Sequence, residues 1–195
     1  MNHKNHSKPF SNIVYDLDNP KRRESFPPER LLDMLPIKRT DTILDVGAGT
    51  GYLTIPAANL VDGQVYALDI NPKMLELIKT KTEKDTIENV HTIRGTIDNI
   101  PLADASIDIV LASIVLHEVQ PLSNALQQIK QVLREDGYFV CVEFEEKEFS
   151  PNGPPRISSS DMEQALINAG FHITEKFSPN ELLYIIIAKT PFKAT

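Results

Sequence analysis

The sequence predicts an α/β fold in which helices cover both faces of a doubly wound, parallel sheet. Three observations carry that expectation. Strand-length apolar runs alternate with helical patterns from Thr42 to about Val142, the trace that successive βαβ units leave in a chain. A turn with glycine at three alternate positions, Gly47, Gly49 and Gly51, follows the first run directly. The second run ends in an acidic residue, Asp69, 22 positions beyond Gly47. In such a sheet the ligand crevice lies at the carboxyl ends of the strands, where the strand order reverses, and the glycine turn falls there.

The elements follow in order. Met1 to Pro9 is polar and is expected to be a mobile tail, with His3 and His6 solvated. Residues 1–27 form that tail and an N-terminal lid carrying Tyr15, Asp18, Arg22 and Arg23, and residues 28–195 form one domain. A helix starts at Pro28, because Leu31, Leu32 and Leu35 share one face and Pro36 ends it. Thr42 to Val46 is a buried strand, and a helix runs from about Tyr52 to Leu60. Pro56 sits in or just past its first turn, where amides have no intrahelical partner.

Gln64 to Leu68 is the second strand. Asn71 caps the next helix with Pro72 at its first position, and that helix extends to about Lys84 over Met74, Leu75 and Ile78. Val90 to Arg94 and Ile107 to Ala112 are strands, the latter apolar except for Asp108. A helix follows over about Leu122 to Leu133. Gly137 then turns into a strand from Tyr138 to Val142. After a Pro-rich loop, Ser150 to Pro155, Ser160 and Glu163 make a capping box for a helix closed by Gly170. His172 to Phe177 and Leu182 to Ala188 are the last strands.

Composition narrows the function. A chain of 195 residues with net charge −7 lacks the broad basic surface that nucleic acid would attract. One cysteine, Cys141, excludes an intrachain disulfide framework. No apolar run approaches the ~20 residues that span a bilayer. A cytoplasmic location is expected, with a homodimer left open and no resident metal.

The glycine turn is the centre of the chemistry. Glycine adopts positive φ and lets a ligand approach the backbone, and amides at a helix start favour an electron-rich partner. A dinucleotide fingerprint G-x-G-x-x-G would place its third glycine at Tyr52, so that pattern fails. No Gly-Lys-Ser/Thr closes a phosphate loop either. The carboxylate of Asp69 can accept both ribose hydroxyl protons. With Asn71 as the better helix cap, Asp69 is assigned to a ribose.

The run Asp45-Val46-Gly47-Ala48-Gly49-Thr50-Gly51 resembles motif I of the class I S-adenosylmethionine-dependent methyltransferases. From about Leu31 to Ala188 the landmarks are similar to the subgroup holding ubiquinone/menaquinone-biosynthesis C-methyltransferases and many small-molecule enzymes. The resemblance implies a Rossmann-like sheet of seven strands, mostly parallel with the last antiparallel, and S-adenosylmethionine at the tips of strands 1, 2 and 4. It implies cofactor contacts from Gly47, Ala48, Gly49, Gly51, Asp69, Ile70 and Ser113, with Asp45 holding the amino group. Gly95 to Leu102 resembles the family loop that contacts adenine, through Thr96, Ile97 and Asp98. Thr96 stands where the family usually has aspartate, so a backbone carbonyl or Asp98 takes over that contact.

The segment Ile114 to Val119 falls where the family faces the reacting methyl. The Asn/Asp-Pro-Pro-Tyr motif of amine-directed nucleic-acid methyltransferases is missing there, so the expected acceptor is a small molecule. Methyl transfer from a sulfonium needs alignment above all, which supplies about 7–11 kcal/mol, and a base only where the acceptor holds a proton. His117 is the candidate base, with a structural histidine as the alternative. Glu143, at the end of strand 5, is the second catalytic candidate. Tyr15, Glu118 and Arg156 are substrate candidates, Arg156 as a clamp for an anionic group. A non-catalytic protein that binds S-adenosylmethionine or S-adenosylhomocysteine is the alternative function, and a nicotinamide oxidoreductase the third.

Overall fold

The computed structural model describes residues 9–20, 27–146 and 156–191. His3, His6, Arg22, Arg23 and the proline-rich stretch 151–155 lie outside the described residues. The described elements are α1 (Phe10–Leu17), α2 (Pro28–Leu32), β1 (Ile43–Val46), α3 (Thr54–Leu60), β2 (Val65–Asp69), α4 (Pro72–Lys84), β3 (Val90–Arg94) and β4 (Ile107–Ser113). A 3-10 turn (Leu116–Glu118), α5 (Leu122–Val132), β5 (Leu133–Phe144), α6 (Ser159–Asn168), β6 (His172–Asn180) and β7 (Leu183–Lys189) complete the order.

The seven strands form one sheet in the order β3-β2-β1-β4-β5-β7-β6. β1 to β5 are parallel, and β7 runs antiparallel to both β5 and β6. The chain leaves β1 toward β2 on one side and returns to β4 on the other. The crevice of a doubly wound sheet opens at that reversal, beyond the tips of β1 and β4.

Strand alternation builds a core on each face. Leu44, Val46, Val110, Ala112, Phe139, Cys141 and Ile186 pack with α5 and α6 through Leu126, Ile129, Met162 and Leu166. Ile43, Val65, Ile109, Leu111, Val140 and Ile185 pack on the other side with α2 and α3 through Leu31, Leu32 and Ala57. Each strand residue that changes position by one changes face.

Several boundaries differ from the sequence expectation; α2 ends at Leu32, α3 starts at Thr54 and β6 runs on to Asn180. β5 begins at Leu133, not Tyr138: Leu133 pairs with Ile107, and an irregularity precedes the pairing of Ile109 with Tyr138. α6 is capped by Ser158, whose hydroxyl accepts the Asp161 amide proton at 3.1 Å, so the capping residue lies two positions before Ser160. α1 is a helix of its own, with no buried residue. α4 runs from Pro72 to Lys84, as expected, and Asn71 accepts the Lys73 amide proton at 3.0 Å. Pro56 is the third residue of α3, within its first turn. Among the described residues no helix is long and apolar enough to cross a membrane.

Candidate cofactor site

The turn after β1 needs its glycines. Gly47, Gly49 and Gly51 have φ of +66°, +54° and +85°, a region L residues rarely adopt. A Cβ on Gly47 would lie 2.3 Å from Val115 Cγ2, inside the van der Waals distance. At Gly49 the nearest atom to such a Cβ is Leu17 Cδ1 at 3.5 Å. Gly47 is therefore fixed by close packing against the segment after β4, while a Cβ at Gly49 would make only ordinary contact with Leu17 of α1.

Asp69 ends β2 beside this turn. One carboxylate oxygen accepts the Gly49 amide proton at 2.8 Å, and the other accepts the Asn71 amide proton at 2.8 Å. The residue is half-buried, and each carboxylate oxygen has lone pairs left to accept from a ligand. The helix-capping task falls to Asn71.

A cavity of about 640 Å³ opens at the tips of β1, β2 and β4, within the usual range for ligand sites. Of the residues expected there, Gly47, Ala48, Gly49, Asp69, Ile70, Thr96, Ile97, Asp98, Ser113 and Glu118 line it. Asp45, Gly51, His117, Glu143, Tyr15 and Arg156 are not among the lining residues. Asp45 is 2% exposed and accepts the Thr54 hydroxyl proton at 2.6 Å. Tyr15 is exposed on α1. Gly51 is buried beneath the turn, with Ile78 and Ile55 nearest to where its Cβ would stand.

Residues the sequence reading missed complete the wall. Ile13 and Leu17 of α1 close one side, and Tyr52, Met74 and Gln120 also line it. The signal for α1 was present in the spacing Phe10, Ile13, Val14 and Leu17, which puts apolar side chains on one helical face. Asp18, just past α1, ties the helix down. Its carboxylate accepts from the Thr50 hydroxyl at 2.5 Å and the Lys81 ammonium at 2.9 Å, and Lys81 also donates to the Thr50 carbonyl at 2.9 Å. Ile114 at the tip of β4 has φ +56°, a strained conformation for a β-branched residue. Its amide donates to the Val142 carbonyl at 2.7 Å.

Behind that wall lies a buried pair. Glu143 is 1% exposed, and its Oε1 accepts the Leu116 amide proton at 2.8 Å and that of His117 at 3.4 Å. His117 is 6% exposed and its Nδ1 donates to Glu143 Oε2 at 2.9 Å. The Glu143 hydrogen bond raises the His117 pKa against the opposing cost of burial; the charges of Glu143 and Glu118 add to the rise, and Arg156 works against it. The Arg156 guanidinium stacks 4.1 Å from the Phe144 ring centroid, and among the described residues its buried Nη1 has no hydrogen-bond partner. Cys141 is wholly buried, which pushes its thiol pKa well up and keeps the reactive thiolate away.

Residues 44–141 match the family described as a methyltransferase domain. A demethylmenaquinone methyltransferase of Staphylococcus epidermidis is 31% identical over 141 residues, which cover 69% of this chain and 58% of that protein. The uncharacterized methyltransferase YcgJ of Bacillus subtilis is 27% identical over 112 residues, covering 57% of this chain and 42% of that protein. The crystal structure of a SAM-dependent methyltransferase from Aquifex aeolicus superposes with a TM-score of 0.84 at 26% identity, covering 94% of this chain and 99% of that one. The fold is that of a Rossmann-like methyltransferase domain. This chain belongs to the class I S-adenosylmethionine-dependent methyltransferase family, whose cofactor is S-adenosylmethionine. It spans about half the length of the curated relatives it matches.

Proposed function

We propose that the protein transfers a methyl group from S-adenosylmethionine to a small-molecule acceptor in the cytoplasm. The observation that carries this reading is the meeting of Gly49 and Asp69 at the head of a cavity that opens at the strand reversal. The residues fit the cofactor. Asp69 offers a half-exposed carboxylate to ribose hydroxyls, Ile70 and Ile97 offer apolar flanks, and Asp98 offers an acceptor for an exocyclic amine. Gly49 leaves room for a ligand to approach the backbone. Bound S-adenosylmethionine supplies an activated methyl on a sulfonium.

The protein's part is alignment and exclusion of water. Leu17 and Ile13 cover the glycine turn, held there by Asp18. Ile114, Val115 and Val119 line the cavity after β4 with apolar surface, so a small acceptor can be held against the methyl by shape. The resemblance to enzymes named for menaquinone and ubiquinone biosynthesis supports a small-molecule acceptor.

The test is production of S-adenosylhomocysteine from labelled S-adenosylmethionine in a pool of small metabolites freed of protein and nucleic acid. Turnover that depends on the pool is expected. Binding of both ligands without turnover in any pool fraction would contradict methyl transfer and favour a non-catalytic binding protein.

A further inference from the structure

The turn after β4 presents one carboxylate to the cavity and keeps a second behind it, with an imidazole between them. Glu118 lines the cavity and its side chain is 73% exposed. Its Oε1 stands 3.9 Å from His117 Nε2, while the other ring nitrogen of His117 is held by buried Glu143 at 2.9 Å. Glu143 also grips the Leu116 and His117 amides, so the 3-10 turn, the imidazole and Glu143 form one rigid unit.

We propose that Glu118 is the group that takes the acceptor's proton during methyl transfer, with His117 and Glu143 as positioning residues behind it. This rests on the methyl-transfer reading and adds a residue assignment to it. The acceptor's nucleophilic atom bonds to the methyl carbon as the carbon–sulfur bond breaks, and that electron pair stays on sulfur, leaving a neutral thioether. The proton shed by the nucleophile moves to the Glu118 carboxylate, and from that exposed side chain to water.

His117 is unsuited to the same task. It is 6% exposed, it is not among the residues lining the cavity, and its Nδ1 is held by Glu143 at 2.9 Å, while the neighbouring carboxylates favour its charged form. The groups facing His117 are Glu143 from β5, Glu118 from its own turn and Arg156 from the segment before α6. The charged side chains lining the cavity among the described residues are Asp69, Asp98 and Glu118, all acidic. That field suits an acceptor arriving uncharged or cationic with its proton still in place.

The experiment compares wild-type protein and Glu118→Gln, each saturated with S-adenosylhomocysteine and then S-adenosylmethionine, following the His117 ring nitrogens by NMR as pH is varied. Loss of the Glu118 charge should lower the His117 titration midpoint. Exchange of S-adenosylhomocysteine for S-adenosylmethionine adds a positive charge and should lower the wild-type midpoint as well. Pool-dependent turnover should fall about a hundredfold or more in Glu118→Gln, with S-adenosylhomocysteine affinity within about twofold of wild type. A midpoint unmoved by the substitution or by the ligand exchange, or turnover at the wild-type rate, overturns the assignment. Failure of both ligands to bind wild-type protein overturns the underlying methyl-transfer reading, and this assignment with it.

Discussion

The Asp69 carboxylate accepts the amide proton of Gly49 at 2.8 Å, joining the tip of β2 to the glycine turn that follows β1. The two residues come from neighbouring strands, and the second Asp69 oxygen holds the Asn71 amide that opens α4. One side chain thus sets the position of two backbone segments at the mouth of the cavity. Those two hydrogen bonds fix the glycine turn and the start of α4 relative to each other.

Asp69→Ala separates that role from stability. Losing two hydrogen bonds to half-buried amides costs the fold about 1–3 kcal/mol. The proposed ribose contact would be lost in addition, so affinity for S-adenosylhomocysteine should fall by more than tenfold, beyond what the stability change explains. Calorimetric titration alongside urea unfolding checks both, and equal losses would leave Asp69 a structural residue.

Gly47 and Gly49 should part company when each is changed to alanine. Both pay about 1–2 kcal/mol for a left-handed backbone. At Gly47 the new Cβ also meets Val115 at 2.3 Å, so unfolding should show the larger loss there. At Gly49 the Cβ finds ordinary contact with Leu17, and ligand affinity should suffer more than stability.

The tie between α1 and the body of the domain is polar and partly exposed. Asp18 and Lys81 side chains are 37% and 31% exposed, and such pairs contribute at most about 1 kcal/mol. Asp18→Ala also takes the acceptor from the buried Thr50 hydroxyl, so a modest loss of stability of about 1–3 kcal/mol is expected. It should speed dissociation of S-adenosylhomocysteine several-fold, read by stopped-flow displacement, because Ile13 and Leu17 no longer stay over the cavity. High salt should reproduce part of that effect on wild-type protein.

Protonation of His117 should appear in the pH dependence of stability. Its folded pKa is raised above the ordinary value of about 6.5. The stabilisation is therefore complete below that value and is lost as pH rises through the folded pKa. Urea midpoints measured from acid to mildly alkaline pH should decline across that window in wild-type protein, and the decline should be missing in His117→Gln.

Much of this architecture was legible because local chemistry and global fold agree. Asn71-Pro72 announced the start of α4, and the spacing of the glycine turn and Asp69 anticipated that the two meet at the strand tips. The start of β5 was hidden because Arg134, Glu135 and Asp136 have the composition of a turn. They form an exposed strand end, with Asp136 at φ +58°. The cap of α6 was placed two residues late, because Ser160 with Glu163 fits a capping box, whereas Ser158 accepts the Asp161 amide proton. His117 and Glu143 were both expected near the crevice. That Glu143 would turn inward to bind the imidazole and two amides depends on strand register, which spacing alone does not reveal.

The most direct measurement is calorimetric titration of ligand-free, folded protein with S-adenosylmethionine and S-adenosylhomocysteine. Saturable one-site binding of both, weakened by Asp69→Ala, is the result expected of this cradle. No heat and no competition from either ligand, with the fold intact, would contradict it.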